Sequence, residues 1–210
     1  VAGMEAARTL KMRGFDVTIY ERSGKLGGNL IPAGAHSFKI ELHQLIEWYK
    51  REIIEMGIPV VYHANMTAES IKTLNPDVAI ISTGSDPIMP PIKGIDHVKC
   101  LSGVEALQGN RDLGKTLVVV GAGLVGCEFA IDKAMEGYDV TIVEAAPEVL
   151  AASTQITMGV QQMIPDLIEH WGVKTKCSNK IVEINDEGAV IESVENGERM
   201  TLPADQVVMC

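Results

Sequence analysis

Basic charge is the first thing this chain is short of: 18 Lys and Arg stand against 28 Asp and Glu, a formal charge of −10. A nucleic-acid backbone or an anionic membrane surface would repel it, so neither is expected as a partner. Long apolar runs are missing as well. Those present are strand-length, so the sequence offers nothing to span a bilayer. No basic-then-apolar leader is visible, and export is not expected. The four cysteines, Cys100, Cys127, Cys177 and Cys210, lie far apart without CxxC or metal-ligand spacing. That suits ordinary thiols in a reducing compartment, with no bound metal, and the expected location is the cytoplasm. With 46% hydrophobic residues in 210, the chain can fill one large or two small cores.

What is present concentrates in residues 116–144, TLVVVGAGLVGCEFAIDKAMEGYDVTIVE. A β-branched run breaks into Gly121-Ala122-Gly123-Leu124-Val125-Gly126, passes into a helical pattern that stops at Gly137, and resumes as a strand ending in Glu144. This is the order of a dinucleotide site. Gly121 permits the turn, Gly123 lets backbone approach a pyrophosphate, and Gly126 lets helix pack on strand, with the helix N-terminus facing the anion. Glu144 can accept both ribose hydroxyls, and Ala145-Ala146-Pro147 supplies no cation for a 2′-phosphate. Two unit charges about 4 Å apart repel by about 4 kcal/mol at an effective dielectric near 20. NADH is therefore expected over NADPH.

The first residues repeat this stretch. Laying Gly3 on Gly126 also superposes Gly14 on Gly137, Asp16-Val17-Thr18-Ile19 on Asp139-Val140-Thr141-Ile142, and Glu21 on Glu144. So many matches in one register mark an internal repeat, each copy a nucleotide-binding βαβ unit. Val1 then falls inside a fingerprint, on the position of Leu124. The expectation is a fragment whose first domain lacks its opening strand and first two glycines.

Beyond Glu21 the loop Arg22-Ser23-Gly24-Lys25-Leu26-Gly27-Gly28 offers close backbone approach to a ligand at Gly27 and Gly28. Ser37 is expected to cap a helix with Phe38, Leu42, Leu45, Ile46, Tyr49, Ile53 and Met56 on its core face, ended by Gly57. Ile58–Tyr62 and Pro76–Gly84 read as strands, the second ending in the small-residue turn Ser82-Thr83-Gly84. Asp86–Gly94 is a proline-rich crossing, Ser102 and Glu105 a capping box, and 109–114 the passage to the second domain. A helical region from Thr154 to Trp171 contains Pro165, which either ends or kinks it. From Val173 the turn chemistry predicts an antiparallel meander, and Asp205–Cys210 matches Asp77–Ser82. The fold class is α/β: two Rossmann-like three-layer dinucleotide-binding domains, the second with a β-meander and the first truncated.

The segments GLVGCE, YERSGKLGGNLIPAGAHSFK and NPDVAIISTGSDPIMPPIKGID resemble the C-terminal half of the 2,4-dienoyl-CoA reductase, enoate reductase and trimethylamine dehydrogenase family. The resemblance implies an FAD-binding domain in 1–106 and an NAD-binding domain in 107–210. It matches Gly3, Glu21, Arg22, Gly27, Gly28, Thr83 and Gly84 to FAD contacts, and Gly121, Gly123, Leu124, Val125, Gly126 and Glu144 to NADH contacts. It further implies a preceding barrel with FMN and a [4Fe-4S] centre, outside this sequence, receiving electrons that pass from NADH through FAD. The partners are then a nicotinamide dinucleotide and that barrel. In trimethylamine dehydrogenase the corresponding flavin site holds ADP, so a structural nucleotide-binding module is the alternative. A glutamate-synthase-like small subunit is a third reading, disfavoured by Ala145-Ala146 where basic residues for NADPH are missing.

Hydride transfer between stacked rings needs alignment rather than a proton donor, so no catalytic side chain is assigned. His36 is read as an ordinary loop histidine, and His43, His63, His97 and His170 as helix-face or surface residues. Cys127 is read as a packing residue. The lack of a cysteine pair after Gly28 sets disulfide reduction aside. The fragment alone is expected to be inactive and to bind FAD weakly, while its second module can hold NADH.

Overall fold

The computed structural model describes residues 1–109, 111–153 and 156–210. It divides into two compact units, Val1–Asp86 and Pro87–Cys210.

In the first unit, α1 (Ala2–Met12), β1 (Ile19–Tyr20), α2 (Leu30–Ala33), α3 (Ile40–Glu55), β2 (Val60–Val61) and α4 (Ala68–Leu74) follow in order. β1 and β2 run parallel with Ile19 opposite Val60. Met4 and Ala7 of α1 pack with Tyr49 and Ile53 of α3, Leu26 and Ile58 to form the core. The stripe expected on α3 is buried at Ile46, Tyr49 and Ile53, while Phe38 and Leu45 are exposed. The helix starts at Ile40 without a side-chain cap, not at Ser37. α4 opens on a capping box in which Ser70 fills the place usually held by Glu or Gln, so the usual sequence signature misses it.

The strand expected over Pro76–Gly84 does not form: these residues carry no regular structure, are unpaired among the described residues, and are exposed. An apolar strand is stable only where neighbours take its hydrogen bonds and cover its faces. Here no described strand does either.

In the second unit β3 (Cys100–Ser102), α5 (Gly103–Leu107), β4 (Thr116–Val120), α6 (Leu124–Met135), β5 (Asp139–Val143), α7 (Met158–His170) and β6 (Lys174–Lys176) are followed by β7 (Asn179–Asn185), β8 (Gly188–Ser193), β9 (Arg199–Pro203) and β10 (Gln206–Met209). Because Cys100–Ser102 is the edge strand of its sheet, this unit begins at Pro87, ahead of the boundary expected at 106/107. The five-stranded sheet has the order β3-β10-β4-β5-β6, all parallel, and β7-β8-β9 is the expected antiparallel meander.

Alternation along the strands builds three layers. Leu117, Val119, Val140, Ile142 and Val208 pack with Phe129, Ala130, Ile164 and Ile168 of the helices. Val118, Val143, Val207 and Met209 pack with Ile184, Ala189 and Ile191 of the meander. The proline-rich crossing joins that second core through Ile92 and Ile95. Gly94 is required there, since a Cβ would collide with the Ile184 carbonyl oxygen. Ser102 and Glu105 form the expected capping box. α7 runs through Pro165 without ending; its expected start at Thr154 lies outside the described residues. No helix among the described residues is long and apolar enough to cross a membrane.

Candidate dinucleotide-binding site

Where β4 ends, the chain turns at Gly121 (φ 103°) and enters α6 through Gly123. Strand order reverses here, with β10 on one side of β4 and β5 on the other, and ligands of open α/β sheets sit at such switch points. The three glycines have separable roles. A Cβ at Gly121 would stand 2.5 Å from the Cys210 carbonyl oxygen, and one at Gly126 would collide with the Gly121 carbonyl oxygen. Gly121 and Gly126 are therefore demanded by the fold. Gly123 is not: its φ is an ordinary −69° and, among the described residues, a Cβ would meet only Ser153 Oγ, at 4.0 Å. Among the described residues the space above it is open, as a pyrophosphate lying on the helix end requires. No side chain caps α6, so the first-turn N–H groups of Leu124, Val125 and Gly126 have no intrahelical acceptor. Leu124 packs into the core, whereas the Val125 side chain is exposed.

Glu144 follows β5, and its carboxylate is held at both oxygens. Ala146 N donates to Oε1 at 2.8 Å and Ala122 N to Oε2 at 2.7 Å. Acid and glycine turn thus form one rim. A carboxylate offers about four lone-pair directions, so acceptor capacity is left for ribose hydroxyls. Leu150, at φ 60°, donates from its amide to Ala122 O at 2.8 Å and anchors the following loop on the turn.

The first unit carries the same geometry after its strand. Ser23 N donates to Glu21 Oε1 at 2.8 Å. Glu21 N donates to Val61 O, and Ala64 N to Glu21 O, as Glu144 N does to Lys176 O and Asn179 N to Glu144 O. Even the left-handed residue recurs, His63 and Ser178 both at φ 54°. Gly3 faces Ser82, whose Cβ would lie 3.3 Å from an added one, and Gly126 likewise faces Cys210 at 3.2 Å. The repeat therefore extends to the residue that faces the helix glycine in each copy, Ser82 and Cys210.

Arg22, Gly28, Thr83 and Gly84 are brought into one neighbourhood. Arg22 makes a bidentate ion pair with Asp86, and Asn29 Nδ2 donates to Ser85 O at 2.9 Å. Gly27 (φ 131°) lies under Ile31; Gly28 (φ 54°) and Gly84 (φ 70°) have positive φ, a Cβ at Gly84 would stand 3.7 Å from Asn29 Nδ2, and one at Gly28 would meet nothing within 4 Å among the described residues. Asp86, Asn29 and His63, which lies against Gly24, escaped the sequence reading because their partners are far away in the chain.

His36 is a packing residue, buried and stacked on Phe38 at 5.3 Å. Cys127 is fully enclosed and donates to Ala122 O. Burial, with a smaller push from Glu144, raises its thiol to about 12, so it is no nucleophile at neutral pH. All four cysteines are free thiols.

The profile of the pyridine nucleotide-disulphide oxidoreductases matches residues 1–210. The chain belongs to that family. Among its relatives, cinnamate reductase of Clostridium sporogenes is 35% identical over 209 residues, covering 100% of this chain and 31% of the relative. NADH oxidase of Thermoanaerobacter brockii is 32% identical, covering 99% and 32%. The solved complex of 2-naphthoyl-CoA reductase with 2-naphthoyl-CoA superposes with a TM-score of 0.87 at 31% identity, over 100% of this chain and 31% of that one. The chain spans about a third of the length of the relatives it matches. The resemblance to the enoate reductase group is borne out by these oxidoreductases.

Proposed function

We propose that the second unit binds NADH through Gly121, Gly123, Leu124, Val125, Gly126 and Glu144. The first unit holds FAD through Gly3, Glu21, Arg22, Gly27, Gly28, Thr83 and Gly84, and the chain is the electron-input part of a longer flavoprotein reductase. The observation that carries this reading is the Glu144 carboxylate tied to the Ala122 amide: acid and glycine turn, apart in sequence, make one rim around an open Gly123.

When bound, the two cofactors supply hydride transfer from nicotinamide to isoalloxazine. The protein's share is positioning. First-turn amides of α6 hold negative charge, Glu144 takes the ribose, and no side chain acts as acid, base or nucleophile. By the family resemblance, an iron–sulfur centre and FMN in a barrel outside this chain would be the acceptors of those electrons. The lack of a cysteine pair beside Gly28 separates this reaction from disulfide reduction.

Extraction of nucleotides from the parent polypeptide tests the reading. FAD should be recovered, and NADH should bleach its absorbance. Recovery of ADP without FAD would make the first unit a structural nucleotide-binding scaffold and overturn the electron-input role.

A further inference from the structure

We infer that the Ser153 hydroxyl donates a hydrogen bond to the pyrophosphate of the nucleotide in the second unit, a contact that no sequence motif marks. The inference rests on the reading of that unit as an NADH site and adds a binding residue to it. It starts from Gly123, the one fingerprint glycine that neither backbone conformation nor protein packing requires. Among the described residues, the one heavy atom within 4 Å of a Cβ placed there is Ser153 Oγ, at 4.0 Å. Any anion resting on the amides of Leu124 and Val125 above Gly123 therefore has that hydroxyl as its neighbour from the facing loop.

Ser153 Oγ makes no hydrogen bond among the described residues, whereas its amide is fixed, donating to Leu150 O at 2.8 Å. Leu150 is itself buried and held in the left-handed region, its amide on Ala122 O. So Ser153 is positioned from the glycine turn outward, with its hydroxyl unspent among the described residues. The first unit shows what this loop position does when it has a protein partner. Leu26 is the buried leucine after Glu21, and Asn29 stands three residues beyond it as Ser153 stands beyond Leu150. Asn29 Nδ2 donates to Ser85 O and closes its loop on the glycine turn at 84. In the second unit the equivalent polar side chain faces the helix end with its donor unspent.

A hydrogen bond to a charged group, once lost, costs about tenfold in affinity. NADH is titrated by fluorescence into the wild-type chain and into Ser153→Ala and Ser153→Thr, with thermal melts of each. Ser153→Ala should weaken NADH about tenfold with an unchanged melt, and Ser153→Thr, which keeps the hydroxyl, should recover wild-type affinity. Ser153→Ala binding as tightly as wild type, or Ser153→Thr binding as weakly as Ser153→Ala, overturns the assignment. A wild-type chain that takes up no NADH overturns the underlying reading of the unit instead.

Discussion

The acid that ends each repeat is gripped differently in the two units. Glu144 is bonded at both oxygens, to Ala146 N and Ala122 N, and Glu21 at one, to Ser23 N. The second bond comes from the glycine turn after β4, for which the described first unit has no counterpart. The segments that lead to Cys210 and Ser82 differ in the same sense: the first is strand β10, the second forms no strand. Val207 and Val208 are 0% exposed between β3 and β4, while Val78 and Ile81 are 76% and 68% exposed. Residues after the acid strand thus fold alike in both copies, because their bonds are local to β1–β2 and β5–β6. What lies over the centre of the sheet depends on neighbours.

That contrast can be broken at its strongest point with the cofactor pair. If Glu144 faces the ribose with no cation beside it, NADPH should bind more weakly than NADH by up to about 4 kcal/mol, read by parallel titrations. Equal affinities would remove the acid from the site. Removing the side chain sharpens the comparison. Glu144→Ala strands the buried Ala122 amide and should lower unfolding free energy by about 1–3 kcal/mol, whereas Glu21→Ala exposes only the amide of a surface residue and should stay within about 0.5 kcal/mol. Urea unfolding measures both.

The helix glycines should separate in the same direction. Gly126→Ala drives a methyl into the Gly121 carbonyl and should cost about 1–3 kcal/mol. Among the described residues Gly3→Ala meets only the Ser82 side chain, at 3.3 Å, on an exposed and unpaired segment that can yield, so its melting temperature should fall less. The smallest effects are ionic. Arg8, hydrogen-bonded to Glu5, holds that carboxyl down at about 2 against an ordinary 4.5. A depressed acid contributes stability above its unfolded value and loses it as pH falls through the folded one. Wild type should therefore lose more stability than Arg8→Ala between pH 4.5 and 2, followed by acid titration of tryptophan fluorescence.

Much of the second unit was legible because its signals are local: β-branched runs, the glycine turn, the Ser102–Glu105 box and the Asn-Asp-Glu-Gly turn each act over a few residues. The repeat could be read from one register as far as Glu144. Past it the loops differ in length, so the burial shared by Leu26 and Leu150, from which Asn29 and Ser153 are counted, needed coordinates. The strand expected at Pro76–Gly84 failed for the opposite reason: its residues have the right pattern, but pairing is a property of partners. Long-range tethers such as Arg22 to Asp86 and Ala122 to Glu144 leave no periodic trace at all. Gly123 was legible as part of a motif, yet only the space above it separates a ligand's requirement from the fold's.

The most direct trial is a crystal structure of the chain with NADH. The account predicts the pyrophosphate over Gly123 against the first turn of α6 and the adenosine ribose on Glu144. A nucleotide bound elsewhere, or a Gly123 surface empty at saturating NADH, would contradict it.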